Sequence, residues 1–126
     1  MAHDDVQAWL DAYVHAWRTY DPTVIGALFT EDATYAYHPW DEGEELVQGR
    51  DAIVADWLEQ QDPPTSWEAH YRPLMVEGQQ AVATGTTSYT NGAIYWNLWV
   101  LRFDENNRCA QYVEWFMERP KEETRH

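Results

Sequence analysis

Residues 81–103 read AVATGTTSYTNGAIYWNLWVLRF, and this run decides the fold. Ala81 to Thr90 and Ile94 to Phe103 are rich in β-branched and aromatic residues, and each reads as a strand. Asn91-Gly92 lies between them and is the strongest short hairpin signal, because both residues accept the positive φ of a tight turn. The pattern extends in both directions. Ser66 to Val76 precedes, joined through Glu77-Gly78-Gln79, and Arg108 to Glu118 follows Asp104-Glu105-Asn106-Asn107. Four consecutive strands with short polar turns predict an antiparallel meander.

The first half has a different period. Val6, Trp9, Leu10, Tyr13, Val14 and Trp17 recur every three or four residues, the apolar stripe of an amphipathic helix with Asp4 and Asp5 at its positive end. Tyr20-Asp21-Pro22 breaks it. Asp21 can cap a short second helix carrying Ile25, Leu28 and Phe29, with Pro22 in its first turn. Ala33 to Trp40 reads as a strand ending at Pro39, and Asp41 to Glu45 as an acidic loop. Gly49-Arg50-Asp51 opens a third helix with Ile53, Val54, Trp57 and Leu58 on one face, stopped by Pro63-Pro64. The expectation is one α+β domain over 1–126, with a core from about 6 to 118 and a charged tail over 119–126. Its three N-terminal-half helices lie on the concave face of a curved antiparallel sheet.

Composition narrows the function classes. The formal net charge of -14 repels phosphate backbones and anionic lipid, which argues against nucleic-acid and membrane partners. No apolar stretch approaches the roughly 20 residues of a membrane helix, and residues 1–9 do not form a signal-peptide pattern. A single cysteine, Cys109, fits a reducing cytoplasm and reads as a small buried hydrophobe. Eight tryptophans and eight tyrosines suit a pocket for an apolar or aromatic small molecule, and suit interfaces equally well. The five histidines show no ligand spacing and there is no phosphate loop, so the expectation is no metal and no cofactor.

Side chains alternate along a strand, so Tyr112, Glu114 and Phe116 share one face. A carboxylate between aromatics on a ligand-facing wall is desolvated, which raises its pKa and suits it to acid–base work. On the opposite reading Glu114 faces solvent or pairs with an arginine. His70, flanked by Glu68 and Arg72 on its own face, titrates near neutrality and could shuttle a proton, alone or in a relay with Glu114; a structural histidine is the alternative. Trp17, Trp57, Asn97, Trp99, Tyr112 and Phe116 are candidate walls. Trp67, Trp96 and Trp115 fall on the opposite register and read as dimer or core packing, the two sets exchanging if the register slips by one. The last strand is apolar on both faces, so a second copy of the chain is expected on the convex side, making a homodimer.

Leu28-Phe29-Thr30-Glu31-Asp32-Ala33-Thr34, Gly49-Arg50-Asp51-Ala52-Ile53, His70 with Leu74-Met75-Val76-Glu77-Gly78, and Cys109-Ala110-Gln111-Tyr112-Val113-Glu114-Trp115-Phe116 carry a resemblance. Over roughly Val6 to Glu118 the chain resembles the nuclear transport factor 2-like superfamily, in particular its SnoaL-like, ketosteroid isomerase-like and scytalone dehydratase-like members. The resemblance implies a cystatin-like cone closed by the first helix, a ligand pocket on the concave face and a dimer through the convex face. It places Glu114 with the last-strand acid of SnoaL-type cyclases and limonene epoxide hydrolase, His70 with the histidine of scytalone dehydratase, and Tyr13 with an oxyanion-hole tyrosine. Tyr13 is equally a plain core residue of its stripe. Tyr37 stands where ketosteroid isomerases carry a catalytic aspartate, and Trp99 where they carry a second one. A phenol with a pKa near 10 is no ready base for carbon-acid deprotonation, which argues against steroid isomerisation and leaves Tyr37 to orient a substrate or line the pocket. The implied function is a cofactor-independent lyase, isomerase or cyclase acting on a hydrophobic, oxygenated ring compound. A non-catalytic binding or dimerisation module and an epoxide hydrolase are the alternatives.

Overall fold

A computed structural model describes residues 1–120; residues 121–126 of the charged tail lie outside it. Helix α1 spans His3–Thr19, α2 Pro22–Gly26 and α3 Arg50–Glu59. The strands are β1 Phe29–Ala36, β2 Val47–Gln48, β3 Trp67–Glu77, β4 Gln80–Tyr89, β5 Ile94–Phe103 and β6 Cys109–Glu118. They form one sheet in the order β2-β1-β6-β5-β4-β3. Every neighbouring pair is antiparallel except β1 and β6, which run parallel and join the two halves of the chain.

The stripe on α1 buries Val6, Trp9, Leu10, Tyr13 and Ala16. Asp5 accepts the Ala2 backbone N–H at 2.9 Å, satisfying a donor of the kind that helix N-termini leave open. Asp21 caps α2 by accepting from Thr23 N at 2.9 Å, with Pro22 in the first turn. Phe29 begins β1 instead of belonging to α2. The first strand also ends earlier than Ala33 to Trp40 suggests, because the Asp41 carboxylate takes the backbone N–H groups of Tyr37 and His38, each at 3.1 Å. Its start is concealed by the polar run Thr30-Glu31-Asp32, which falls where the β1–β6 register is irregular.

Register fixes which side chains meet. Ala83, Trp99 and Glu114 are successive partners across β4, β5 and β6, and Gly85, Asn97 and Phe116 form the next inward row. The intervening row holds Arg72, Thr84, Leu98 and Trp115, and the row beyond Gly85, Asn97 and Phe116 holds His70, Thr86, Trp96 and Met117, both on the opposite, convex face. Trp99, Leu101 and Tyr112 are buried inward, and Trp96, Trp115 and Met117 are exposed outward. Gly85 lets β3 and β4 close: a Cβ there would land on the His70 carbonyl oxygen and 2.8 Å from Tyr71 Cα.

Candidate functional site

Between the concave face and helices α1 and α3 lies a cavity of about 530 Å³. Its lining includes Tyr13 and Trp17 from α1, Tyr35 from β1, Trp57 from α3, Tyr71 from β3, Thr87 from β4, Asn97 and Trp99 from β5, and Glu114 and Phe116 from β6. Tyr20, Tyr37, Gln60, Asp62, Tyr89, Asn91, Ala93 and Tyr95 complete it.

Glu114 is held by both oxygens. Asn97 Nδ2 donates to Oε2 at 2.9 Å, and Tyr112 donates from its hydroxyl to Oε1 at 3.2 Å. The amide is itself fixed, because Thr87 Oγ1 donates to Asn97 Oδ1 at 2.9 Å and lies 2.5 Å from the Tyr71 hydroxyl. Burial pushes the Glu114 carboxyl up to about 7, against the pull of the Asn97 and Tyr112 donors and of the neighbouring Trp99 indole N–H. That indole lies beside the carboxyl without closing a hydrogen bond to it. A carboxyl poised there both takes and returns a proton at neutral pH.

Behind it runs a chain of phenols. Tyr13 Oη lies 3.2 Å from Tyr112 Oη and 3.0 Å from Tyr35 Oη, and the Tyr35 and Tyr112 rings stack at 4.0 Å. With Glu114 ionised, proton bookkeeping allows one direction only. Tyr112 donates to Glu114, so Tyr13 donates to Tyr112 and Tyr35 to Tyr13. Burial drives Tyr13, Tyr35 and Tyr112 well above the ordinary phenol value, so all three stay protonated. In that state the Tyr13 proton is committed to Tyr112 rather than aimed at a ligand.

Most residues singled out from the sequence meet here: Tyr13, Trp17, Tyr37, Trp57, Asn97, Trp99, Glu114 and Phe116 all line the cavity. Two do not. His70 is exposed on the convex face, in a second groove with Arg72, Thr86 and Trp96, so no relay with Glu114 forms. Tyr112 is buried beneath the wall, where it supports Glu114 rather than a ligand. Trp67 packs in the core face to face on Trp17, at 3.6 Å between centroids. Tyr37 donates to Asp56 Oδ2 at 2.5 Å, and burial followed by this bond raises its pKa, so it is a fixed donor and not a base.

Tyr35, Tyr71 and Thr87 escape a reading of the sequence, although a signal for Tyr71 exists. In Trp67-Glu68-Ala69-His70-Tyr71-Arg72 the apolar residues alternate with polar ones, so the face bearing Tyr71 turns inward and the one bearing His70 outward. Among the described residues, no group of three or more His, Cys, Asp or Glu side chains is placed to hold a metal ion.

The SnoaL-like domain model matches residues 10–116. No curated protein matches the chain in sequence. Among solved structures, the chain is similar to a nuclear transport factor 2-like protein of unknown function from Burkholderia xenovorans LB400, with 19% identity, TM-score 0.71, and 94% of this chain and 87% of that one covered. It is also similar to an epoxide hydrolase of the LEH-like type from M. tuberculosis, with 12% identity, TM-score 0.66 and coverage of 91% and 84%. A third is an uncharacterised protein with a cystatin-like fold from Silicibacter pomeroyi DSS-3, with 15% identity, TM-score 0.60 and coverage of 89% and 74%. At these identities the likeness is one of fold.

Proposed function

The chain belongs to the SnoaL-like family, and from that premise we propose that it is a cofactor-independent lyase, isomerase or cyclase that moves a proton on a hydrophobic, oxygenated ring compound. The observation that carries this reading is Glu114: one carboxyl in an aromatic cavity, held by Asn97 and Tyr112 and poised near neutrality.

Glu114 as carboxylate takes a proton from a carbon next to a carbonyl, and the C–H electron pair passes into the carbonyl to form an enolate. Once it is protonated, Tyr112 no longer has to donate to it. The phenol chain can then reverse, with Glu114 donating to Tyr112, Tyr112 to Tyr13 and Tyr13 to Tyr35, which frees the Tyr35 proton. Tyr35 lines the cavity, so its hydroxyl can turn to the oxyanion that the same step creates. Tyr37, anchored on Asp56, and the Asn97 amide orient the polar end of the substrate, while Trp57, Trp99 and Phe116 enclose its ring. Epoxide hydrolysis would need an arginine beside the acid and amide; none lines the cavity among the described residues.

We further propose a cytoplasmic protein that dimerises through the convex face; the free, buried Cys109 and the exposure of Trp96, Val100, Trp115 and Met117 on that face support this reading. Among the described residues, no helix is long and apolar enough to cross a membrane.

The test is turnover of a panel of oxygenated ring compounds by wild type and Glu114→Gln. The variant should lose about 10²–10⁴-fold in kcat. The wild-type rate should rise with pH to a plateau through an apparent pKa near 7, the value of the carboxyl. Unchanged turnover in Glu114→Gln would remove the base from the mechanism.

A further inference from the structure

The cavity is lined by seven tyrosines, three tryptophans and Phe116, with two carboxylates, Asp62 and Glu114, at different places in its wall. No Lys, Arg or His lines it among the described residues. Aromatic faces carry negative potential, and so do carboxylates; a wall made of both, in a chain of net charge -14, attracts cations and repels anions.

Two of these aromatics hydrogen-bond to Asp62, and Tyr89 lines the same cavity. Trp17 donates its indole N–H to Asp62 Oδ2 at 3.2 Å. The Tyr20 hydroxyl accepts the Asp62 backbone N–H at 2.9 Å. Asp62 also acts on Tyr89, helping to raise its pKa to about 12 after burial itself. Trp17 is stacked on Trp67, so its opposite face and its edges remain for the cavity. Arg18, the residue after Trp17, lies on Trp67 at 3.9 Å from the ring centroid and is engaged elsewhere. It donates to Trp67 O at 3.0 Å and pairs with Glu68 at 3.5 Å. Asp62 Oδ1 accepts no hydrogen bond from a described residue.

We propose that the ligand carries a basic nitrogen, held as an ammonium among Trp17, Tyr20, Tyr89 and Asp62, while its oxygenated ring reaches Glu114. The inference rests on the reading above for the choice of cavity, but not for the chemistry at Glu114. The Asp62 cluster binds the charged end by ring faces and one carboxylate, and the acid at the other end acts on the ring. A neutral compound of the same shape forgoes the first set of contacts, and an anionic one is repelled by both carboxylates.

The test is binding by the full chain of benzyltrimethylammonium against its uncharged isostere neopentylbenzene and a neutral polyol, methyl glucoside. Tryptophan fluorescence and the indole N–H resonances report occupancy. The ammonium should bind at least about tenfold more tightly than either neutral probe, a preference that weakens with salt. Asp62→Asn, which retains an acceptor for Trp17, and Tyr89→Leu should each remove most of that preference. Equal binding of the isostere or the polyol, or a preference untouched by both variants, overturns the proposal. An intact ammonium preference with unchanged turnover in Glu114→Gln would leave this inference standing and sink the proton-transfer reading. Loss of turnover in that variant with no ammonium preference would do the reverse.

Discussion

Glu114 has an ordinary carboxyl value of 4.5 and a folded value of about 7, so the fold favours its protonated form. The stabilisation from that preference is fully present below pH 4.5 and is lost as pH rises through 7, at a cost of up to about 3 kcal/mol. Denaturant unfolding at pH 5 and pH 8 should show this loss in wild type. In Glu114→Gln, neutral at both values and able to keep both hydrogen-bond partners, the loss should shrink by up to that amount. Identical pH dependence in the two proteins would mean that the carboxyl is well hydrated. The candidate acid was legible because Glu114 interrupts an aromatic face on an alternating strand. That its oxygens belong to Asn97 and Tyr112 was not, since each bond depends on cross-strand register and side-chain rotamers.

At the scale of elements, β3 shows how local pattern and misreading coexist. Its alternation turns Tyr71 inward, yet His70 attracts attention for its chemistry, and a shift of one residue exchanges the faces. Gly85 sets how closely β3 approaches β4. In Gly85→Ala the new methyl meets backbone on β3, and Tyr71 Cδ1 at 2.5 Å, so the strands must separate. We expect destabilisation of about 2–4 kcal/mol, read as a lower denaturation midpoint, together with weaker ligand binding as Tyr71 leaves the wall. A variant as stable as wild type would show that the edge strand yields freely. The first strand starts four residues before the run Ala33 to Trp40 that reads as one: Thr30-Glu31-Asp32 looks like a turn and Tyr37 to Trp40 looks like a strand. The register break in the first run and the Asp41 carboxylate in the second reverse those appearances.

For the whole molecule, the convex face exposes Trp96, Trp115 and Met117 side by side. Trp96 and Met117 are cross-strand partners, 57% and 73% exposed, too apolar together to favour water. Sedimentation should show wild type at twice the chain mass of 14.8 kDa, and Trp96→Lys with Met117→Lys at a single chain mass. A monomeric wild type at micromolar concentration would leave this face to another partner. Taken alone, the sequence determined the helical stripe, the meander, the hairpin at Asn91-Gly92 and the acidic, aromatic composition, because periodicity and turn chemistry act within a few residues. Only the tertiary structure decided the parallel pairing of β1 with β6, the burial of Tyr112 beneath the wall, and the meeting of Tyr13, Tyr35, Asn97 and Glu114 around one carboxyl. Those contacts join residues up to 99 positions apart, and packing selects them.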